Sequence, residues 1–195
     1  RNDTCEHLTR RQVHIVAEIP DFFASDTVVC KGSVIRFETR NINTANIAAH
    51  TWSFGDGIVQ NGGSQIDHIY TAAGMYTVRL IIRDINGCLD TLTRPLYIRV
   101  NGPDANFSSS VPGACLDTAV VFNDASTSDG THPITTWVWD FGDGTRDTLT
   151  APPFQHTYSS PGRYAVKLIT IDSIGCTDSI TKPNVVTISK PLASF

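Results

Sequence analysis

A six-residue pattern that occurs twice sets the strongest limit on how this chain of 195 residues can fold. The first copy, at residues 52–57, reads Trp-Ser-Phe-Gly-Asp-Gly, and the second, at 139–144, reads Trp-Asp-Phe-Gly-Asp-Gly. Large aromatic residues at alternate positions are typical of a half-buried β-strand, and the Asp-Gly pair after them is typical of a tight turn. Neither copy leads into a helical pattern, which excludes a glycine-rich loop that binds a dinucleotide phosphate.

Further motifs follow each copy in the same order and define the length of the repeat. A His-x-Tyr comes first, then a Gly-x-Tyr that enters an alternating strand, then a Gly-Cys. Pro20, Pro103 and Pro191 each precede a short segment that ends in Phe. The resulting repeat of about 85 residues is too long for a solenoid unit and suits a small β-sandwich with its own core.

This period predicts two whole domains, at residues 20–102 and 103–190. Their cores are expected to bury Trp52, Phe54, Tyr76 and Leu80 in the first domain and the counterparts Trp139, Phe141, Tyr164 and Leu168 in the second. Residues 5–10 echo residues 88–94, so residues 1–19 are expected to form the last strand of a preceding repeat. Residues 191–195 are expected to open a following one. We therefore expect a parent protein with at least four such units.

Composition and charge narrow the functional classes. The net charge of −4 comes with no basic run that would neutralise phosphates, and no apolar run is long enough to span a bilayer, so neither nucleic acid nor membrane insertion is expected. Asp56 and Asp143 have no partner acid, base or nucleophile at a matching position, so catalysis is not expected. His68 and His156 are interpreted as residues at the edge of a core, while Trp137, if exposed, would offer a face for stacking on a sugar.

In combination, Trp-x-Phe-Gly-Asp-Gly, His-x-Tyr, Gly-x-Tyr-x-Val-x-Leu and Gly-Cys resemble the polycystic kidney disease (PKD) domain, in the form found in tandem on long surface proteins of gliding bacteria. The first copy departs from the family pattern at Ser53, where Asp is frequent, and in a longer stretch over residues 55–65. The resemblance implies an all-β fold of tandem immunoglobulin-like sandwiches with seven strands each, without catalysis.

The same resemblance implies export through the type IX secretion pathway and a place outside the cell, at its surface or secreted. There the chain would act as a stiff spacer or filament shaft in adhesion or gliding. Its partners would be neighbouring repeats of the same chain, with other copies in a filament, surface glycans or surface proteins as further candidates. The alternative is a pair of accessory domains that bind glycan or protein within a large secreted hydrolase.

Some PKD domains bind calcium through acidic loops, which makes calcium the one cofactor to consider. The second repeat places hard oxygen donors before its aromatic strand, and the candidate ligands are Asn123, Asp124 and Asp129. The corresponding stretch of the first repeat, residues 41–46, holds no carboxylate. Because Ca²⁺ needs negative charge as well as oxygen ligands, the candidate site belongs to the second repeat alone.

The cysteines of an immunoglobulin-like Greek key would fall at two ends of the sandwich. Cys30 and Cys115 precede the second strand at one end, and Cys88 and Cys176 follow the turn before the last strand at the other. A strand of about seven residues spans roughly 23 Å, whereas a disulfide joins Cα atoms within about 7 Å. This favours Cys30 with Cys176 between head-to-tail domains, and leaves Cys5, Cys88 and Cys115 for neighbouring repeats. Pairing within domains, Cys30 with Cys88 and Cys115 with Cys176, remains open because the topology is itself inferred.

The resemblance to proteins of gliding bacteria also implies O-linked glycans on Ser or Thr between Asp and an aliphatic residue. Some matches to this pattern are one repeat echoing the other, but most fall near predicted strand ends or turns, where a glycan stays on the surface. The candidates are Thr27, Thr91, Thr118, Thr148, Ser173 and Ser179.

Overall fold

A computed structural model describes residues 18–190, which form two domains with the same order of strands. The strand expected within residues 1–19 and the repeat start expected at 191–195 fall outside the described residues, apart from Glu18 and Ile19, which precede the first strand. The first domain comprises β1 (Phe22–Ala24), β2 (Val28–Cys30), β3 (Val34–Thr39), a 3-10 helix (Thr44–Asn46), β4 (Ile47–Ser53), β5 (Val59–Gly62), β6 (Gln65–Ile69), β7 (Gly74–Asp84) and β8 (Leu89–Asn101). The second comprises β9 (Phe107–Ser109), β10 (Gly113–Cys115), β11 (Ala119–Asp124), β12 (Ile134–Asp140), β13 (Arg146–Leu149), β14 (Phe154–Thr157), β15 (Gly162–Asp172) and β16 (Thr177–Ser189).

Each domain is a sandwich of a three-stranded and a five-stranded sheet. In the first domain the strand orders are β1-β3-β6 and β2-β8-β7-β4-β5, and in the second they are β9-β11-β14 and β10-β16-β15-β12-β13. All pairs are antiparallel except β2 with β8 and β10 with β16, which run parallel. The expected all-β, immunoglobulin-like tandem is thereby confirmed.

Each domain has eight strands rather than the seven that the resemblance implied. The difference arises because the opening strand is divided between the sheets. In the first domain β1 pairs with β3, and after the bend at Ser25 the chain crosses to the other sheet, where β2 pairs with β8. This crossing carries Cys30 to the end of the domain where β8 finishes.

A layer of aromatic rings fills each core, as the alternating pattern predicted. Trp52 and Trp139 are fully buried, and the edge of each meets a Phe from the opening strand, with ring centroids 5.3 Å from Phe22 and 5.1 Å from Phe107. The other residues expected in the cores, Phe54, Leu80, Phe141 and Leu168, are also fully buried. Such aromatic pairs contribute stability beyond the burial of their area.

The prediction that Tyr76 and Tyr164 are buried is wrong, because both side chains are only half-buried. Their hydroxyls donate hydrogen bonds to the backbone oxygens of Ala72 and Ser160, at 2.8 and 2.7 Å. A tyrosine corner holds its hydroxyl near the surface in this way, because the bond reaches back to a turn a few residues upstream.

The repeated Phe-Gly-Asp-Gly turn is held by the repeated His-x-Tyr. The imidazole Nε2 of His68 lies 2.7 Å from the carboxylate of Asp56, and the imidazole ring stacks on Phe54 with centroids 3.8 Å apart. The hydroxyl of Tyr70 donates to the backbone oxygen of Phe54 at 2.9 Å. The second domain repeats this set with Phe141, Asp143, His156 and Tyr158.

The statement that Asp56 and Asp143 have no partner base is therefore wrong. Each faces a histidine 12 or 13 residues further along the chain. In the second domain, burial opposes the ionisation of Asp143, but hydrogen bonds from Thr145 and His156 outweigh it and hold the pKa of this carboxyl below its usual range. The hydroxyl of Thr145 donates to this carboxylate at 2.6 Å and so adds a side-chain bond within the turn.

The first glycine of each turn is required by space as well as by conformation. Gly142 has a φ of +80°, and a Cβ built there would lie 2.2 Å from the backbone oxygen of Ala165. Gly55 is equivalent, with the backbone oxygen of Thr77 at 2.5 Å. The turn thus packs directly on the strand that follows the tyrosine corner.

Truncating the fully buried indole of the second domain should cost far more than truncating the half-buried indole on the same strand. The variant Trp139→Ala should lower the free energy of unfolding of this domain by about 3–5 kcal/mol, through lost apolar burial and the cavity left behind. Trp137→Ala, on the same strand but half-buried, is the matched control and should cost less than half as much. Urea denaturation of the two variants measures this, and equal losses would contradict the assignment of the core.

The first domain should lose stability between about pH 7 and pH 5 through His50. Burial lowers the pKa of this imidazole, so the folded state keeps it neutral while the unfolded chain takes up a proton below about pH 6.5. Stability from this group is therefore present above the unfolded pKa and declines as the pH falls towards the folded value. The variant His50→Gln should flatten the dependence in urea denaturation across this range, and an unchanged slope would rule His50 out as its source.

Candidate functional site

The most highly constrained region outside the cores is the junction between the two domains. The chain passes from β8 into the second domain through residues 101–103, all of which are buried. The backbone of Asp104 then forms a bridge with Thr127, with hydrogen bonds of 2.8 and 3.0 Å in the two directions. The connection is therefore packed between the domains and is not an exposed linker.

A disulfide crosses this junction between Cys30 and Cys176, whose Cα atoms are 5.3 Å apart. Cys30 reaches the junction because β2 runs parallel to the end of β8, where it pairs with Asn101. Cys176 reaches it because it follows the turn after β15, at the top of the second domain. This is the inter-domain arrangement that the position of the cysteines favoured.

The alternative pairings within domains, Cys30 with Cys88 and Cys115 with Cys176, do not occur. Cys88 and Cys115 are free and exposed. The physical reason is that the two cysteines of one domain lie at its opposite ends, while the sandwiches are stacked end to end. Cys5 lies outside the described residues.

Lys31 reinforces the junction beside the disulfide. Its side chain is only 8% exposed, and its ammonium forms ion pairs with Asp104 and, at 3.0 Å, with Asp178. Burial opposes the ionisation of Asp178, but hydrogen bonds from the amide of Ala105 and from Lys31 hold the pKa of this carboxyl below its usual value. A nearly buried lysine of the first domain is thus paired with two carboxylates of the second.

Two further features at the junction determine how closely the domains approach each other. The guanidinium of Arg99, at the end of β8, donates to the hydroxyl of Thr131 at 3.1 Å. Gly102 has a φ of +137°, and a Cβ there would lie 3.3 Å from Lys31 and 3.5 Å from Cys176. The absence of a side chain at Gly102 therefore lets the lysine and the disulfide close over the connection.

The calcium candidates do not form one cluster of free ligands. The carboxylate of Asp124 accepts hydrogen bonds from the amide of Ser126 at 3.0 Å and from the indole of Trp137 at 2.8 Å. Asn123 lies on β11, paired with Ser108 of β9. Asp129 lies in another group, and calcium binding by the three stays a prediction.

Asp129 belongs to a group with His132 and Asp172, in which one potential ligand atom from each residue lies within 4.8 Å of the others. Burial opposes the ionisation of Asp129, but the side chain and amide of His132 and the amides of Thr131 and Gly102 donate to it and hold its pKa well below the usual range. Neither His132 nor Asp172 was among the site residues predicted from the sequence. The signal available for Asp172 was its repetition at Asp84, and His132 has no such counterpart.

The remaining candidates lie on the surface or against the core. Trp137 is half-buried, with its ring centroid 5.5 Å from that of Phe154, and stacking of a sugar on this ring stays a prediction. The six glycosylation candidates, Thr27, Thr91, Thr118, Thr148, Ser173 and Ser179, are all exposed.

Within residues 18–190, the chain forms no helix with the length and apolar character needed to traverse a bilayer.

Comparisons with known proteins agree with the repeat. The family model described as the PKD domain matches residues 16–100 and again residues 102–188. A microbial collagenase of Vibrio alginolyticus is 34% identical over 79 residues, which cover 40% of this chain and 9% of the collagenase. The pre-pro-metalloprotease PrtV of Vibrio cholerae is 30% identical over 150 residues, covering 76% of this chain and 16% of the protease.

Among solved structures, the PKD1 domain of Vibrio anguillarum Epp is 28% identical to this chain, with a TM-score of 0.38. It matches 46% of this chain and 99% of its own length. The chain spans a small part of the two proteases, and its two matches to the family model together account for most of its length. The chain belongs to the PKD domain family and consists of two PKD domains in tandem.

Proposed function

We propose that this chain is a non-catalytic segment of a long, repetitive extracellular protein, in which it acts as a stiff spacer or filament shaft. The observation that carries the proposal is the disulfide between Cys30 and Cys176, which spans a junction whose connecting residues are already buried. Domains of one chain usually move relative to each other unless their interface is extensive. A covalent bond on one side of the connection and the ion pairs of the nearly buried Lys31 oppose that motion.

The disulfide also changes the path of a pulling force. A load applied along the chain reaches Cys30 after β1 and β2, crosses the disulfide to Cys176, and leaves through β16. The strands β3 to β15 lie inside the covalent loop, so unfolding them does not lengthen the chain between its ends. This property suits a shaft that bears tension, such as one used in adhesion or gliding.

The two free cysteines extend this arrangement to further repeats. Cys88 occupies in the first domain the position of Cys176 in the second, and Cys115 occupies the position of Cys30. We infer that Cys88 pairs with the cysteine at the Cys30 position of the preceding PKD repeat, and that Cys115 pairs with the cysteine at the Cys176 position of the following one. Every such bond joins two thiols with loss of two protons and two electrons, which an extracellular thiol–disulfide oxidant accepts, so the proposal places the protein in an oxidising compartment. Export through the type IX pathway and attachment at the cell surface are the setting we propose.

A second candidate function is favoured by the relatives, which are named as a collagenase and a metalloprotease. In that case the two domains are accessory modules of a larger protease and bind glycan or protein for it. The parent reading frame distinguishes the two: many consecutive PKD repeats support the shaft, and a protease domain on the same chain supports the accessory role.

Glycans on the exposed Asp-Ser/Thr-aliphatic sites would fit either setting, and we expect at least one of the six to be occupied. Thr148, on the exposed strand β13 after the Asp-Gly turn, is a favourable acceptor because a bulky glycan there stays clear of the core. Intact mass and peptide mapping of protein isolated from its natural host measure this. A mass equal to that of the bare sequence, apart from disulfide hydrogens, would eliminate the modification.

Measuring the relative orientation of the two domains tests the stiff spacer directly. Residual dipolar couplings of the oxidised protein should fit one alignment tensor for both domains, because the junction allows a single arrangement. In the double variant Cys30→Ser and Cys176→Ser the tensors of the two domains should diverge. Adding Lys31→Met should increase the divergence, since it removes the ion pairs that remain.

The matched control is the double variant Cys88→Ser and Cys115→Ser, which replaces the same number of cysteines but leaves the disulfide at the junction intact. It should retain the single tensor. Divergent tensors in the oxidised parent would refute the stiff spacer and leave the accessory role.

A further inference from the structure

A cluster of three potential metal ligands lies beside the junction. It comprises Asp129 and His132, in the loop between β11 and β12, and Asp172, at the end of β15. The cluster brings one imidazole nitrogen and two carboxylate oxygens within 4.8 Å of one another. Asp172 is 40 residues or more from Asp129 and His132 in the sequence, so the three side chains come together only in the folded domain.

Within residues 18–190, only one of the two carboxylate oxygens of Asp172 has hydrogen-bond partners. The residue is only 3% exposed. One carboxylate oxygen, Oδ1, accepts hydrogen bonds from the amides of Ile174 and Cys176, at 3.0 and 2.8 Å. The other oxygen, Oδ2, is buried and accepts no hydrogen bond from any residue between 18 and 190. Buried polar atoms are nearly always paired, so an orphan of this kind points to a missing ligand.

A ring nitrogen of His132 faces the carboxylate of Asp129. The Nδ1 of His132 lies 2.8 Å from Oδ2 of Asp129, and the backbone amide of His132 donates to Oδ1 of Asp129 at 2.7 Å. An imidazole that carries its proton on Nε2 has a lone pair on Nδ1, and that lone pair and the Asp129 oxygen can ligate one ion placed between them. The contact thus places a nitrogen donor and an oxygen donor side by side, as an ion bound by both residues requires.

We propose that Asp129, His132 and Asp172 bind a divalent first-row transition metal ion of the zinc type. Two carboxylates balance the charge of such an ion, and a nitrogen with two oxygens is a donor set that Zn²⁺ accepts. Calcium is not favoured, because it takes six to eight oxygen ligands and this cluster includes a nitrogen. Asp129 was also a calcium candidate, but His132 and Asp172 were not, and the proposed ion is a different one.

The position of the cluster gives the ion a structural task. Asp129 also accepts a hydrogen bond from the amide of Gly102, in the connection between the domains, at 3.4 Å. Asp172 holds the turn that carries Cys176 into the disulfide. A metal ion bound here ties the loop after β11 to the turn after β15, beside the covalent bond between the domains.

The first domain supplies a matched control. Asp84 occupies the position of Asp172 and caps the equivalent turn, accepting from the amides of Asn86 and Cys88 at 2.9 and 2.8 Å. The loop before β4 supplies no His, Asp or Glu to it, since residues 40–46 contain none of these. The variants Asp172→Asn and Asp84→Asn therefore perturb equivalent turns, and only the first removes a proposed ligand.

The test is isothermal titration of ZnCl₂ into protein stripped with a chelator and desalted. Cys5, Cys88 and Cys115 are replaced by Ser throughout, because free thiolates bind zinc strongly. The parent should bind Zn²⁺ with a component that weakens at least about tenfold in His132→Gln and in Asp172→Asn, and is unchanged in Asp84→Asn. The thermal midpoint of the parent should rise with Zn²⁺, and that rise should be absent in His132→Gln.

Two results would overturn the proposal. One is Zn²⁺ binding that is absent in the parent or equally strong in His132→Gln. The other is a titration in which CaCl₂ binds with the same dependence on His132 and Asp172 while ZnCl₂ does not. If Asp172→Asn fails to fold, as judged by circular dichroism, His132→Gln decides alone, because this side chain lies on a loop and caps no turn.

Discussion

The covalent bond between Cys30 and Cys176 links two sandwiches that are otherwise complete in themselves. It depends on the divided opening strand: β2 leaves the smaller sheet, runs parallel to β8 and delivers Cys30 to the end of the domain where the chain departs. The other residues that form the junction lie close to this disulfide. Gly102 leaves room for it, Lys31 adds an enclosed charge, and the turn capped by Asp172 presents the second sulfur.

Within each domain, the repeated sequence motifs form one packed assembly. The Trp fills the core, the Phe-Gly-Asp-Gly turn leaves it, and the His and Tyr of the next strand return to hold the turn through a ring stack, a carboxylate contact and a hydroxyl bond. This explains why the motifs recur together. The turn leaves a backbone oxygen and an Asp carboxylate in need of hydrogen-bond partners. The Tyr and the His of the next strand are those partners.

The fold was predictable because alternating aromatics and repeated turn residues report local structure directly. The burial of Trp52 and Trp139 followed from that pattern, whereas the contact of His68 with Asp56 did not, because the two approach each other only across a folded turn. Lys31 was missed since the second repeat has Leu116 in its place, so no repetition marked it. His132 was missed for a related reason: it lies in a loop, residues 125–133, that is longer than its counterpart at 40–46.

Single-molecule stretching between the ends of the chain tests the central claim most directly, because it asks whether the disulfide carries the load. The bonded cysteines are 146 residues apart in sequence, which at about 3.5 Å per residue corresponds to roughly 500 Å of extended chain. When force is applied to both domains, the end-to-end distance of the oxidised protein should not increase by this length. The reduced protein should extend by it in two steps, one for the unfolding of each sandwich. Full extension of the oxidised protein, equal to that after reduction, would contradict the account.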